Sequence, residues 1–218
     1  MPENRTINPC QFVQTIRPLI ERRDVHAMVT TIKRNWTLAE VIGLLNSPDC
    51  DARKVSALVL GLIGTCNCVR DLARQLHHDD PMVWKMAEHA MWSIWLRAGN
   101  EVANEHLTKG MAHLEKKQYQ HAINEFSLAI AADPKFAEAF NQRAMAYYLL
   151  EDYEQCQADC RTAVTLMPLH FGAWAGLGHC QAGLGDIQGA ILSYRKAYAI
   201  NPHLECVHEL LTELQSEQ

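Results

Sequence analysis

Residues 131–140 read AADPKFAEAF, residues 165–174 read TLMPLHFGAW, and residues 199–208 read AINPHLECVH. Their prolines, Pro134, Pro168 and Pro202, recur at a spacing of 34 residues. The register extends upstream of each one. Ala122, Cys156 and Ala190 stand twelve residues before, Phe126, Cys160 and Tyr194 eight before, and Ala129, Ala163 and Ala197 five before. The small residues Gly110, Ala144 and Gly178 lie twenty-four before, and His106, Phe140 and Trp174 twenty-eight before. Small residues at matched positions let two helix backbones approach, and larger ones fill the space around them. Each proline starts a new unit, because it has no N–H and cannot continue the helix before it. The spacing therefore predicts three helix pairs: 104–116 with 119–132, 137–150 with 153–166, and 171–184 with 187–200. A last helix over 204–216 is expected to cover the apolar end of the array.

This pattern resembles the tetratricopeptide repeat over residues 103–218, in units of about 103–136, 137–170 and 171–204. The first unit departs from it at His106 and Lys109, and the second at Cys160. The resemblance implies an all-α, right-handed α-solenoid in which the first helix of each pair lines a concave surface.

The first half carries a second helical pattern. Residues 47–64, SPDCDARKVSALVLGLIG, and residues 79–95, DDPMVWKMAEHAMWSIW, each join an acidic or proline-containing start to an apolar stripe. Asp51, Asp80 and Pro81 suit helix starts. Ala52 aligns with Val83, Lys54 with Lys85 and Ile63 with Ile94, a period of 31 residues. Shorter helices are expected over 37–46 and 68–78, and further ones over 8–22 and 24–35. Residues 1–98 resemble HEAT repeats of the phycobilisome-lyase type, so a HEAT-like segment is expected to precede the tetratricopeptide units. Gly99 is the expected stop between the two.

Composition sets the outer limits. The 218 residues are 48% hydrophobic and 21% charged, with a net charge of −5, which fits a folded chain and disfavours nucleic acid as a partner. Eight Lys and Arg against 15 Asp and Glu put −7 on residues 99–218. The longest apolar run falls short of the roughly 20 residues that a bilayer crossing needs, so no membrane partner is expected. The N-terminus lacks the basic and apolar regions of a secretory signal. These features point to a cytoplasmic chain whose eight cysteines are reduced thiols.

Two clusters have metal-ligand chemistry by residue type. Cys66 and Cys68 precede His77, His78, Asp79 and Asp80, but a helix between them would separate the groups by about 14 Å. Cys156 and Cys160 share a helical face, with His179 and Cys180 on the following pair, and are read as packed, inert thiols. GLGHCQAGLG, residues 176–185, lies within an expected helix, so it is no phosphate loop. Neither a serine elbow nor a paired-histidine zinc motif is present. The chain is read as a non-enzyme without cofactor or metal.

The segment FGAWAGLGHCQAGLG, residues 171–185, carries five glycines, and each helix-interior glycine costs about 1 kcal/mol relative to alanine. Gly172, Gly176, His179 and Gly183 follow helical spacing, and the resemblance places them on the concave surface. Asn141, Gln142, Met145, Tyr148, Leu107 and Met111 would join them from the neighbouring units, with Leu149 beside Tyr148 and Ala175 and Ala182 in the stripe. Together they form the candidate site for a peptide or helix of a protein partner. Some tetratricopeptide domains hold acidic C-terminal tails with Lys, Asn and Arg; the corresponding residues are Leu107, Met111, Gln142, Gly172 and Gly176. An apolar or basic segment is the better match. The expected function is a protein-interaction adaptor. The alternative is an accessory or lyase-like subunit that handles a chromophore or metal through Cys and His. Oligomeric state is left open.

Overall fold

A computed structural model describes residues 7–216, with side chains to residue 214. Residues 1–6, half of the segment read for a secretory signal, and residues 217–218 lie outside the described part. The described residues are helical, without strands. They divide into two compact units, one ending at Ile94 and the other beginning at Trp95.

The first unit contains α1 (Pro9–Glu21), α2 (Val25–Asn35), α3 (Leu38–Gly43), α4 (Cys50–Ile63), α5 (Val69–Gln75) and nearly all of α6 (Pro81–Trp95). Short 3-10 turns follow α3 and precede α5. Thr37 and Glu40 form a capping box on α3. The N-cap of α4 is Asp49, two residues before the expected Asp51, because its carboxylate accepts from the Asp51 and Ala52 N–H groups. Asp51 instead pairs with Arg17 at 2.6 Å, and Asp80 with Lys54 at 2.8 Å. The core gathers Phe12, Ile16, Ile32, Leu45, Leu60, Leu72 and Leu76. Gly61 faces Ala90 closely enough that an added Cβ would lie 3.2 Å from the Ala90 Cα, so α4 and α6 cross almost backbone to backbone.

The second unit is a run of antiparallel pairs: α7 (Glu101–Glu115) with α8 (Tyr119–Ala132), α9 (Ala137–Leu149) with α10 (Tyr153–Leu166), and α11 (Phe171–Gly183) with α12 (Ile187–Ile200). The terminal α13 spans Glu205–Ser216. Each helix packs on the next in the chain, and the first helices α7, α9 and α11 also touch one another in order, which makes this unit an α-solenoid. At Gly110 and Gly178 a Cβ would overlap the rings of Phe126 and Tyr194, so glycine is what allows each aromatic to lie flat against the facing helix.

The loop within each pair is also repeated. Lys117, Glu151 and Gly185 have φ of 58°, 59° and 78°, at the same place in three consecutive repeats. The amide of the following residue, Gln118, Asp152 or Asp186, donates to the carbonyl of His113, Tyr147 or Gln181, closing the helix before it. Asp152 and Asp186 then cap the next helix through the N–H groups of Gln155 and Gly189.

A polar tie joins the helices of every pair, from one repeat position on the second helix (Glu125, Asp159, Ser193) to successive turns of the first. His106 meets Glu125 at 2.8 Å, Arg143 donates twice to Asp159 at 2.7 Å, and the amide of Gln181 shares a 2.5 Å hydrogen bond with the Ser193 hydroxyl. Arg143 stands at the repeat position that Leu177 holds in the next repeat, without leaving a buried charge unpaired, because the bidentate fork satisfies the Asp159 carboxylate. At the C-terminal end, Val207 and Leu211 of α13 close over Ile191, Tyr194 and Ala197.

Candidate functional site

The open part of the first-helix face is centred on α9. Met145, Tyr148 and Leu149 are 49%, 39% and 45% exposed, adjacent on one side of that helix. Met111 of α7 is half-buried beside the core of its own pair. Two expected lining residues are not surface groups. Leu107 is 1% exposed and packs with Ala103, Ile123 and Phe126, because its stripe points toward α8. Asn141 is buried, and its amide lies 3.4 Å from both carboxylate oxygens of Glu138. Gln142, half-buried, donates to Glu138 Oε1 at 2.6 Å.

The glycine stripe of α11, half-exposed at Gly176 and exposed at Gly183, also sets how closely this helix meets α10. A Cβ at Gly176 would lie 3.2 Å from Cys160 Sγ, and one at Gly183 would overlap the ring of Tyr153 at 2.8 Å. Both glycines therefore let α11 sink against α10. Gly172 is half-buried. Ala175 and Ala182 pack against the cluster built by α12 and α13, while the α9 residues stay exposed.

His179 is the one polar side chain of the stripe. Its ring lies 5.8 Å from that of Tyr148 and 5.3 Å from that of Tyr194. Burial holds its pKa below the ordinary histidine value. The ring is thus kept neutral, and its Nδ1 shares a hydrogen bond with the Tyr194 hydroxyl at 2.8 Å. Burial also pushes the Tyr194 phenol up, which keeps it protonated.

Beneath this face lies a polar pair that sequence reading missed. Glu138 and His170 are fully buried, with Oε2 and Nε2 2.6 Å apart. His170 caps α11 by accepting the Ala173 N–H at Nδ1, 3.1 Å away. That bond leaves the proton on Nε2, which donates to Glu138. Trp95 stacks on the imidazole with ring centroids 4.0 Å apart and meets Phe171 edge-on at 5.2 Å. The available signal was the separation of 32 residues, just under one repeat, which brings the start of α9 next to the start of α11. Histidine is not among the favoured N-cap residues, so nothing local marked it.

Among the described residues, the one group of three or more His, Cys, Asp or Glu side chains close enough to share an ion is Cys156, Cys160 and Cys180. The structure does not bring Cys66 and Cys68 together with His77, His78, Asp79 and Asp80 in this way, nor does His179 join the three sulfurs. Cys156 and Cys180 are joined as a disulfide, a correction to the expectation of eight reduced thiols.

Stacked helix pairs with an exposed apolar strip define a helical-repeat module built around a surface. A family model described as tetratricopeptide repeat matches residues 106–136, 137–168 and 171–204, and these residues form three tetratricopeptide repeats. The chain is 32% identical over 112 residues to RNA polymerase II-associated protein 3 of Xenopus tropicalis, covering 50% of this chain and 17% of that protein. It is 31% identical over 104 residues to the Hsp70-Hsp90 organizing protein of Triticum aestivum, covering 48% of this chain and 18% of that protein. The matches thus span under a fifth of each relative. The second tetratricopeptide domain of human RPAP3, in complex with the HSP70 peptide SGPTIEEVD, superposes with a TM-score of 0.50 at 26% identity, over 52% of this chain and 94% of that one. No helix among the described residues is long and apolar enough to cross a membrane.

Proposed function

We propose that the tetratricopeptide unit is a non-catalytic adaptor that binds a peptide or helix of a protein partner on its concave face. The observation that carries this reading is the exposure of Met145, Tyr148 and Leu149 side by side on α9, between two other first helices. Stacked repeats hold that face rigid, so binding costs the receptor little ordering entropy. The names of the relatives, one of them an Hsp70-Hsp90 organizing protein, support an adaptor role.

The ligand differs in chemistry from an acidic tail. Met111, Gln142, Gly172 and Gly176 stand at positions where a carboxylate clamp needs cations or Asn, and Leu107 is sealed in the core. With net charge −7 over residues 99–218, the face favours an apolar segment flanked by basic residues. In the same proposal the chain works in the cytoplasm, and the first unit, built of helix pairs, is a HEAT-like segment.

Affinity capture with the wild-type chain and with Met145→Glu tests the reading. Partners held by the wild type and lost by the variant, at unchanged helix content, are the expected result. Equal recovery by both would refute it.

A further inference from the structure

Cys156 and Cys160 leave one face of α10, four residues apart, and Cys180 meets them from α11. The three sulfurs lie within 4.8 Å of one another, and none of the three residues is more than 1% exposed. Ala144, Ala163, Ala173 and Leu177 surround them. The Cα atoms of Cys156 and Cys180 are 6.0 Å apart, within the roughly 4.4–6.8 Å that a disulfide spans without moving backbone. The bond joins the second helix of one repeat to the first helix of the next. In an array where each repeat leans only on its neighbours, a crosslink at that place acts directly on the interface between them.

Cys160 lies beside this pair and is held out of the chemistry. Burial, reinforced by the negative charge of Asp159, pushes its thiol up to about 12. While α10 and α11 stay packed this thiol is protonated and is not a nucleophile, so the closed bond is not scrambled in place. Gly176 abuts the same sulfur, so the closeness of α11 to α10 and the crowding of the three sulfurs have one cause.

We propose that the Cys156–Cys180 bond is a reversible crosslink between the second and third repeats, made and broken by exchange with a small-molecule thiol and its disulfide, of the glutathione class. In the forward direction one cysteine thiolate attacks the small disulfide, forming a mixed disulfide and releasing one small thiol. The second cysteine thiolate then attacks the protein-side sulfur, closing the Cys156–Cys180 bond and releasing the second small thiol. Two protein thiols are oxidised, one small disulfide is reduced, and the two cysteine protons end on the released thiols. Because the sulfurs are buried, exchange follows a parting of α10 and α11 rather than direct attack from solvent. This inference does not depend on the proposed adaptor role, and its test needs no partner.

The test uses the full chain equilibrated in glutathione buffers from reducing to oxidising, quenched with acid, unfolded in an alkylating reagent and weighed. Eight modified cysteines are expected at the reducing end and six at the oxidising end. One two-electron transition should connect them, with a peptide map joining the Cys156 and Cys180 peptides. Closing a loop over a sequence separation of 24 should raise the melting temperature of the oxidised chain by roughly 5–10 °C. Cys160→Ser should keep both the transition and the pairing. Eight modified cysteines in every buffer, a different pair, a melting temperature unchanged by oxidation, or loss of the crosslink in Cys160→Ser would each overturn the proposal.

Discussion

Glu138 Oε2 accepts a hydrogen bond from His170 Nε2 at 2.6 Å, and neither side chain reaches solvent. The bond ties the first turn of α9 to the cap of α11, so one polar contact bridges consecutive repeats. Glu138→Ala removes the shared acceptor of His170 and Gln142 inside a sealed site. The expected cost is about 2–4 kcal/mol of unfolding free energy, the scale for stripping one partner from a buried polar pair. Glu138→Gln keeps an acceptor oxygen and should lose less. Urea unfolding of the three proteins checks the order, and a change below about 0.5 kcal/mol for Glu138→Ala would count against it.

Lys117 and Glu151 hold a left-handed backbone that the third repeat assigns to Gly185. Such a conformation costs a side-chain-bearing residue about 1–2 kcal/mol, partly offset by the greater freedom of glycine in the unfolded chain. Lys117→Gly and Glu151→Gly should therefore each stabilise the unit by about 0.5–1 kcal/mol, and Gly185→Ala should destabilise it by a similar amount. Denaturation midpoints with unchanged slopes would establish this.

The helix pairs of the second unit were legible because their signals are local. The recurring prolines and the matched small and large residues fix where each pair starts and which side meets its partner. The expected helices end within one residue of those observed, and only α7 starts earlier, at Glu101, because the Asn100 side chain accepts the Ala103 N–H as a cap. The site was less legible. Helical spacing places Gly176 and Gly183 on one stripe but does not say that α10 lies under it, and it cannot separate buried Leu107 from exposed Met145. The pairing of Glu138 with His170 requires superposing two repeats in space.

The contact of Gly176 with Cys160 decides what a substitution there should do. Leucine there meets Cys160 and forces α11 away from α10, so Gly176→Leu should lower stability by more than about 1 kcal/mol. Gly178→Ala should also destabilise, since its Cβ would lie 2.5 Å from the Tyr194 ring. Met145→Glu, on an exposed site, should stay within about 0.5 kcal/mol of wild type. Thermal unfolding of the three variants separates packing positions from surface positions.

Protonation of His179 should also be visible in stability. Its folded pKa is lowered by burial, so below the ordinary value of 6.5 the unfolded chain binds a proton that the folded chain refuses. Stability is therefore full above that pH and declines as pH falls below it, until the folded ring itself protonates. Denaturant midpoints should drop between about pH 7 and pH 5, and the drop should be smaller in His179→Gln, which isolates this ring from the other histidines.

The most direct measurement of the central claim is a titration of the chain with two labelled peptides. One is the acidic SGPTIEEVD held by the human RPAP3 domain, and the other is an amphipathic apolar helix with basic flanks. Saturable binding of the apolar peptide, lost in Met145→Glu, with none to the acidic peptide, is the expected result. Saturable binding of the acidic peptide, indifferent to Met145→Glu, would contradict the account.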